Sequence, residues 1–382
     1  MNIIINCRVY TMESGVIDNG FVCFEGGKIT ALGDMSNVPA DTGDAIVLDG
    51  DGGYLLPGLV DIHSHIGLFN EGLRIEGEDG NEDTDPVTPQ LRAIDGINPQ
   101  DRAFADALRG GVTTVLTGPG SANPIGGSFA AMKTSGVCVD DMIISECAAM
   151  KFALGENPKM TYNSKERSPV TRMATAAVIR ETLLKTREYM EKINDPDEDM
   201  EFDFKYEALV PVLNGEVPVQ FHCHRADDIF TAVRIAKEFS LKYMLVHCTD
   251  GHLIASRLEK ENAPIIVGPV MGTRGKPELS GMTISNAAVL NAAGNTVALC
   301  TDYPETAQEH LMLSAALAAK EGISDEQAFS MITINPARIA GLDTRVGSIA
   351  VGKDADMVLY DGHPFDMRTN IKQVFIDGES VL

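Results

Sequence analysis

Eight short apolar runs between residues 58 and 302 constrain this chain more than any other feature. They fall at residues 58–66, 112–116, 129–134, 143–154, 218–224, 243–248, 264–267 and 296–302. Apolar runs of this length, bounded by turn residues, read as strands buried on both faces. Stretches with helical character separate most of them, at residues 100–109, 170–192, 227–239, 285–293 and 306–320. That alternation is the pattern of βα units around a parallel sheet, and eight strands are the number a closed barrel requires. The expected fold class is therefore α/β, with a (β/α)8 TIM-like barrel. The helical insertion between the fourth and fifth strands exceeds what a minimal βα unit needs.

The two ends of the chain follow another grammar. Short strands broken by turns are expected at residues 3–10, 20–24 and 29–32, and again at 346–352, 355–360 and 374–381. Neither set can bury a core alone, so both termini are expected to meet in one small β-sandwich domain. The division is then 1–55 and 341–382 for the two parts of the sandwich, and 56–340 for the barrel. With 382 residues and 44% hydrophobic content, the chain is long enough for both.

A formal net charge of -24 leaves no basic surface for phosphate contacts, which argues against nucleic-acid binding. No segment reaches the ~18 apolar residues of a membrane span, and the first residues lack a basic stretch ahead of an apolar one. A cytoplasmic protein with no membrane association is expected. Seven cysteines, an odd number without framework spacing, fit a reducing compartment. Cys223, Cys248 and Cys300 lie inside apolar strand runs and read as small core residues.

In a barrel of this kind, chemistry collects at the C-terminal ends of the strands. His63 and His65 end the first strand, Lys151 lies near the end of the fourth, His222 and His224 end the fifth, His247 the sixth and Asp302 the eighth. A lone His-x-His pair is more often two polar residues where a strand meets a loop. The recurrence of imidazole and carboxylate at later strand ends is what points to a metal site, since these are the ligands preferred by zinc and its first-row neighbours. The expected ligands are His63, His65, Lys151, His222, His247 and Asp302. His222 is favoured over His224 as ligand, with His224 placed against the substrate or behind a ligand. Unmodified, Lys151 is a poor ligand and reads as a surface or substrate-binding cation; carbamylated by carbon dioxide, it becomes a carboxylate able to bridge two metals. Glu146 and Glu156 are the fallback carboxylates.

Loops over the mouth would meet the substrate. The glycine-rich run at residues 117–127 carries Ser121 and Asn123, and lacks the lysine of a nucleotide-binding P-loop. Arg274 and Lys276, after the seventh strand, are candidate carboxylate clamps or two solvated cations. Residues 71–85 hold seven acids against one arginine and would overhang the mouth as a solvated lid, or attract a basic substrate.

The run Pro57-Gly-Leu-Val-Asp-Ile-His-Ser-His65, the ordered downstream His, His and Asp, and the tail Asn335-Pro-Ala-Arg-Ile-Ala-Gly341 followed by Gly347-Ser-Ile-Ala-Val-Gly-Lys-Asp-Ala-Asp-Met-Val358 resemble the metal-dependent amidohydrolase superfamily over nearly the whole chain. Met150-Lys-Phe-Ala-Leu154 is similar to the lysine-bearing strand of dihydroorotases. Phe221-His-Cys-His-Arg-Ala-Asp-Asp228 looks more like the imidazolonepropionase and prolidase-like branches. The resemblance implies hydrolysis of a C–N amide bond, cyclic or linear, in a small molecule by a metal-activated hydroxide. One or two divalent ions are implied, Zn2+ first, with Mn2+ or Fe2+ as alternatives. It also implies Asp302 as general base and then general acid, His224 as oxyanion stabiliser, Asp61 as the group that orients a ligand histidine, and a homo-oligomer. A sugar N-deacetylase of the same superfamily and a non-catalytic scaffold relative are the rival expectations.

Overall fold

Strands β1 (Asn2–Tyr10), β2 (Val16–Glu25), β3 (Lys28–Asp34), β4 (Ile46–Asp49) and β5 (Tyr54–Pro57) open the computed structural model, which describes residues 1–39, 45–193 and 201–382. The chain then passes directly from β5 into a second sheet through Gly58. A side chain at Gly58 would collide with Thr113, where a Cβ would lie 2.1 Å from Oγ1, so this crossing requires glycine.

The second sheet contains the eight expected strands: β6 (Leu59–Ser64), β7 (Val112–Thr117), β8 (Ile125–Lys133), β9 (Ile143–Ala153), β10 (Val219–Cys223), β11 (Tyr243–His247), β12 (Ile265–Val267) and β13 (Val297–Leu299). They are ordered consecutively from β6 to β13. Four backbone bonds close the sheet on itself. At one end Val60 N donates to Ile332 O (2.8 Å) and Leu299 N to Met331 O (2.8 Å), so residues 331–332 fill the gap between β13 and β6. At the other end Asp302 N donates to His63 O (3.1 Å) and His65 N to Tyr303 O (2.9 Å). The result is a nearly closed barrel sheet beside the terminal sheet.

One strand departs from the expected alternation. β8 runs antiparallel to both β7 and β9, whereas all other adjacent pairs from β6 to β13 are parallel. Its connection from β7, residues 118–124, is too short for a crossover helix, so the chain must turn back. The glycine-rich run is that turn, and it lies at the barrel mouth.

After the barrel, β14 (Met357–Tyr360), β15 (Ile371–Ile376) and β16 (Glu379–Ser380) return to the first sheet, where β14 pairs antiparallel with β5. The strands of both chain ends thus form one hydrogen-bonded sheet in the order β16-β15-β14-β5-β1-β2-β3, with β4 on β1. No helix among the described residues is long and apolar enough to cross a membrane.

A buried charge cluster ties the barrel to this sheet. Lys133, at the end of β8, reaches Asp356 (2.5 Å), Asp354 (3.0 Å) and Asp377 (3.4 Å). Burial alone would raise the Asp354 carboxyl, but Lys28, Lys133 and Arg345 outweigh it and bring it down to about 2. Its contribution to stability is thus complete above the ordinary aspartate range, near pH ~4, and is lost as pH falls towards 2. Lys133→Met removes the central cation and leaves Asp356 buried with, among the described residues, only the Asp377 backbone N–H as donor. We expect a loss of about 3–5 kcal/mol, read from the urea midpoint at neutral pH. An unchanged midpoint would show that the cluster does not hold the two sheets together.

Candidate metal centre

Five imidazoles, those of His63, His65, His222, His224 and His247, converge at the mouth, and hydrogen bonds at Nδ1 set the orientation of four. His63 Nδ1 lies 2.6 Å from Gln220 Oε1, whose amide is itself fixed by donating to Ile62 O (3.1 Å). His65 Nδ1 donates to Gly118 O (2.7 Å) and His247 Nδ1 to Gly268 O (2.7 Å), while His224 Nδ1 meets Thr249 Oγ1 (2.7 Å). An imidazole that donates through Nδ1 presents a lone pair at Nε2 when neutral. Burial holds His63, His222, His224 and His247 below the usual imidazole range, so neutral rings are favoured.

The lone pairs meet other acceptors. Asp302 Oδ1 lies 3.4 Å from His63 Nε2 and 3.4 Å from His65 Nε2. Burial would raise the Asp302 carboxyl, but positive charge on His247 and hydrogen-bond donation from His63 and His65, or a cation in place of those protons, hold it well below the carboxylate range. Buried His247 Nε2 has no hydrogen-bond partner. Acceptors that face one another without a proton between them suit a cation, and the donor set of imidazoles plus carboxylate fits a divalent ion. The ligand atoms of His63, His247 and Asp302 lie within 4.8 Å of one another, as do those of His222, His224 and His247. His247 belongs to both groups, so the set can hold one ion or two. The geometry brings His222 and His224 equally within range of His247 rather than choosing between them.

Lys151, paired with Gln220 across β9 and β10, is fully buried. Its Nζ lies 3.3 Å from His63 Nε2 and 5.4 Å from the centre of the Phe129 ring, and among the described residues no carboxylate lies within ion-pair distance. Burial pushes its ammonium down to about 8. His247 (φ 72°) and Asp302 (φ 53°) both adopt left-handed backbone, uncommon for non-glycine residues, where strand ends turn into the site.

The fallback carboxylates lie elsewhere. Glu146 is exposed beside Arg92 (3.5 Å), and Glu156 accepts from the Glu278 backbone N–H (3.3 Å). Asp61 does not orient a ligand ring. It sits deeper in the barrel, where it accepts from Thr301 Oγ1 (2.5 Å) and Gln308 Nε2 (3.2 Å), reaches only the backbone N–H of His63 (3.4 Å), and is pushed by burial up to about 6. Gln220 takes the orienting role. Two residues before His222 on the same strand face, it was within reach of strand alternation as a signal.

A cavity of about 620 Å³ opens over the centre, and His65, His222, His224, Asp302, Ser121 and Lys276 line it. Asn123 does not. Buried, it is spent on Glu82 O (2.6 Å), Thr88 Oγ1 (2.9 Å) and Tyr162 Oη (2.5 Å). Arg274 is also absent from the wall, donating instead to Met282 O (2.6 Å). Asn157 and the buried Glu278 belong to the site, and no motif or periodicity marked them. The acidic run 71–85 reaches the mouth through Asn81, but none of its carboxylates lines the cavity. Asp83 pairs with Lys165 (2.5 Å) and Asp85 with Lys205 (2.5 Å), which pins the run to the insertion.

Residues 54–381 match the Amidohydrolase family. The chain belongs to that family. A crystal structure of an amidohydrolase from Thermotoga maritima MSB8 is 41% identical, covers 100% of both chains and superposes with a TM-score of 0.95. Amidohydrolase tasK of Hapsidospora irregularis is 30% identical over 94% of this chain, which spans 39% of that longer protein. An imidazolonepropionase of Maricaulis maris is 23% identical over 91% of this chain and 88% of its own length. For this amidohydrolase, the match covers the barrel and every strand end that bears a candidate ligand.

Proposed function

We propose that this amidohydrolase is a metal-dependent hydrolase of a carbon–nitrogen amide bond, cyclic or linear, in a small molecule. The observation that carries the reading is the meeting of His63 Nε2, His65 Nε2 and Asp302 Oδ1 as mutually facing acceptors at the floor of the cavity, where His65 and Asp302 line the wall and His63 is buried behind them, with His247 Nε2 buried and unpartnered nearby. His63, His65 and Asp302 would hold one ion and His222 and His247 a second, with a carbamylated Lys151 between them. Zinc suits the nitrogen-rich set best, with manganese or iron as substitutes. When bound, such an ion supplies a lowered pKa for water and polarisation of a carbonyl. Asp302, facing the cavity, takes a proton from the attacking water and passes it to the leaving nitrogen. His224, also on the cavity wall, donates to the developing oxyanion. The hydrolase unit in this reading is residues 56–340, flanked by the sheet segments 1–55 and 341–382.

Metal analysis and chelation test the proposal. Purified protein is expected to carry zinc or manganese, to lose amide hydrolysis on dialysis against a chelator, and to regain it when either ion is restored. Full activity in a metal-free preparation would overturn the mechanism. A protein that binds neither ion would point to the scaffold relative instead.

A further inference from the structure

We infer that the substrate carries a carboxylate, held by Lys276 and Ser121 on the side of the cavity above His222; this deepens the amide-hydrolase reading and rests on it. Asn157 organises the pair. Its Oδ1 accepts from Lys276 Nζ (2.7 Å), and its Nδ2 donates to Ser121 Oγ (2.6 Å) and lies 3.5 Å from His222 Nε2. Both polar atoms of Asn157 are therefore spent. Ser121 accepts from Asn157, and its own O–H has no acceptor among the described residues. The Lys276 ammonium has three N–H donors; one goes to Asn157, and the charge forms an ion pair with Glu278 Oε1 (2.9 Å). At least one N–H stays free on a side chain that is 31% exposed, whereas the Glu278 side chain is 0% exposed. Two unspent donors, one of them cationic, thus reach the cavity from the ends of a single amide group.

The support beneath them is cross-linked. Glu156 N donates to Glu278 Oε2 (2.8 Å) and Glu278 N donates back to Glu156 Oε2 (3.3 Å). This reciprocal pair ties the loop after β12 to the segment after β9, and so holds Lys276 over Asn157. Glu278 is a positioning residue in this arrangement. The free N–H of Lys276 and the free O–H of Ser121 suit a carboxylate, which accepts at both oxygens and carries the opposite charge to the ammonium. A neutral N-methylamide in the same place offers one acceptor oxygen for two donors and no charge, so one site donor is left unpaired.

The test uses zinc-loaded full-length protein with N-acetyl amino acids, each paired with its N-methylamide, and follows acetate release and calorimetric binding. Acids are expected to exceed their N-methylamides in kcat/KM by about tenfold or more, mostly through KM. Lys276→Met should erase that preference and Lys276→Arg restore part of it, while Arg274→Ala, on the same loop but outside the cavity, leaves it unchanged. Ser121→Ala should weaken acids selectively, and it carries the test should Lys276→Met fail to fold. Turnover with no preference, or with a preference that survives in Lys276→Met (or in Ser121→Ala when that variant carries the test), overturns the inference and leaves the hydrolase reading standing. Binding of acids alone, lost in Lys276→Met and without turnover of either compound, supports the inference and counts against the hydrolase reading. Binding of neither compound overturns the inference.

Discussion

Asp302→Asn is expected to lower kcat/KM for amide hydrolysis by about 10²- to 10⁴-fold while the protein keeps its fold. The substitution is chosen for what it preserves. Asparagine matches the size of the carboxylate and tolerates the left-handed backbone that position 302 adopts, at φ 53°. It retains one oxygen that can face His63 and His65. What it removes is the negative charge and the capacity to take up a proton. Because its neighbours hold the Asp302 carboxyl well below the usual range, the wild-type group is ionised throughout neutral pH and is ready as a base. The loss should therefore appear in kcat as well as in kcat/KM, at every pH in the neutral range. Metal content measured on the same preparation separates the causes: activity lost with the ion retained points to proton transfer, and activity lost in step with the ion points to ligation. A variant that keeps more than a tenth of wild-type kcat/KM would remove Asp302 from the mechanism.

The ligand candidates that sequence reasoning located share one property: they sit on buried strands or just past their ends. His63, His247 and Asp302 each follow an apolar run, and alternation places them at the mouth once the barrel is assumed. The direction of β8 was hidden for a local reason. Its first residues, Ile125-Gly-Gly-Ser, contain two glycines and read as loop, so the strand was expected to begin at residue 129, with a connection long enough for a crossover. Glu278 and Asn157 were illegible for another. They lie outside the strands, and what brings them together is the exchange of hydrogen bonds with Glu156 across the mouth, a contact between segments 122 residues apart that no periodicity encodes. Asp61 was legible as a strand residue but not in its role, because Thr301 lies just across the barrel seam and captures its carboxylate. Strand periodicity assigns a face; the partner on that face comes from the closed barrel.

Replacing Lys151 by methionine should reduce activity on the order of 10³-fold or more, the rate equivalent of several kcal/mol of metal-centred stabilisation. The case begins from electrostatics. A fully buried ammonium with no carboxylate of the described residues within ion-pair distance is already costly. Its Nζ is only 3.3 Å from His63 Nε2, so a divalent ion bound through that nitrogen would add strong like-charge repulsion. Conversion to a carbamate resolves both problems. The neutral amine attacks the carbon of carbon dioxide and releases a proton, and the new N–C bond carries a carboxylate that two ions can share. With its ammonium pushed down to about 8, Lys151 has an appreciable amine fraction near neutral pH. Three outcomes should follow together. Metal-stripped wild-type protein given zinc in carbon-dioxide-free buffer should recover slowly, and added bicarbonate should accelerate recovery. Lys151→Met should bind less metal and ignore bicarbonate. Short-chain carboxylates should restore part of its activity by occupying the space a carbamate on Lys151 would fill. Recovery indifferent to bicarbonate, combined with no rescue by carboxylates, would leave Lys151 as an unmodified amine beside His63 and reduce the bridging ligand to a water molecule or to none.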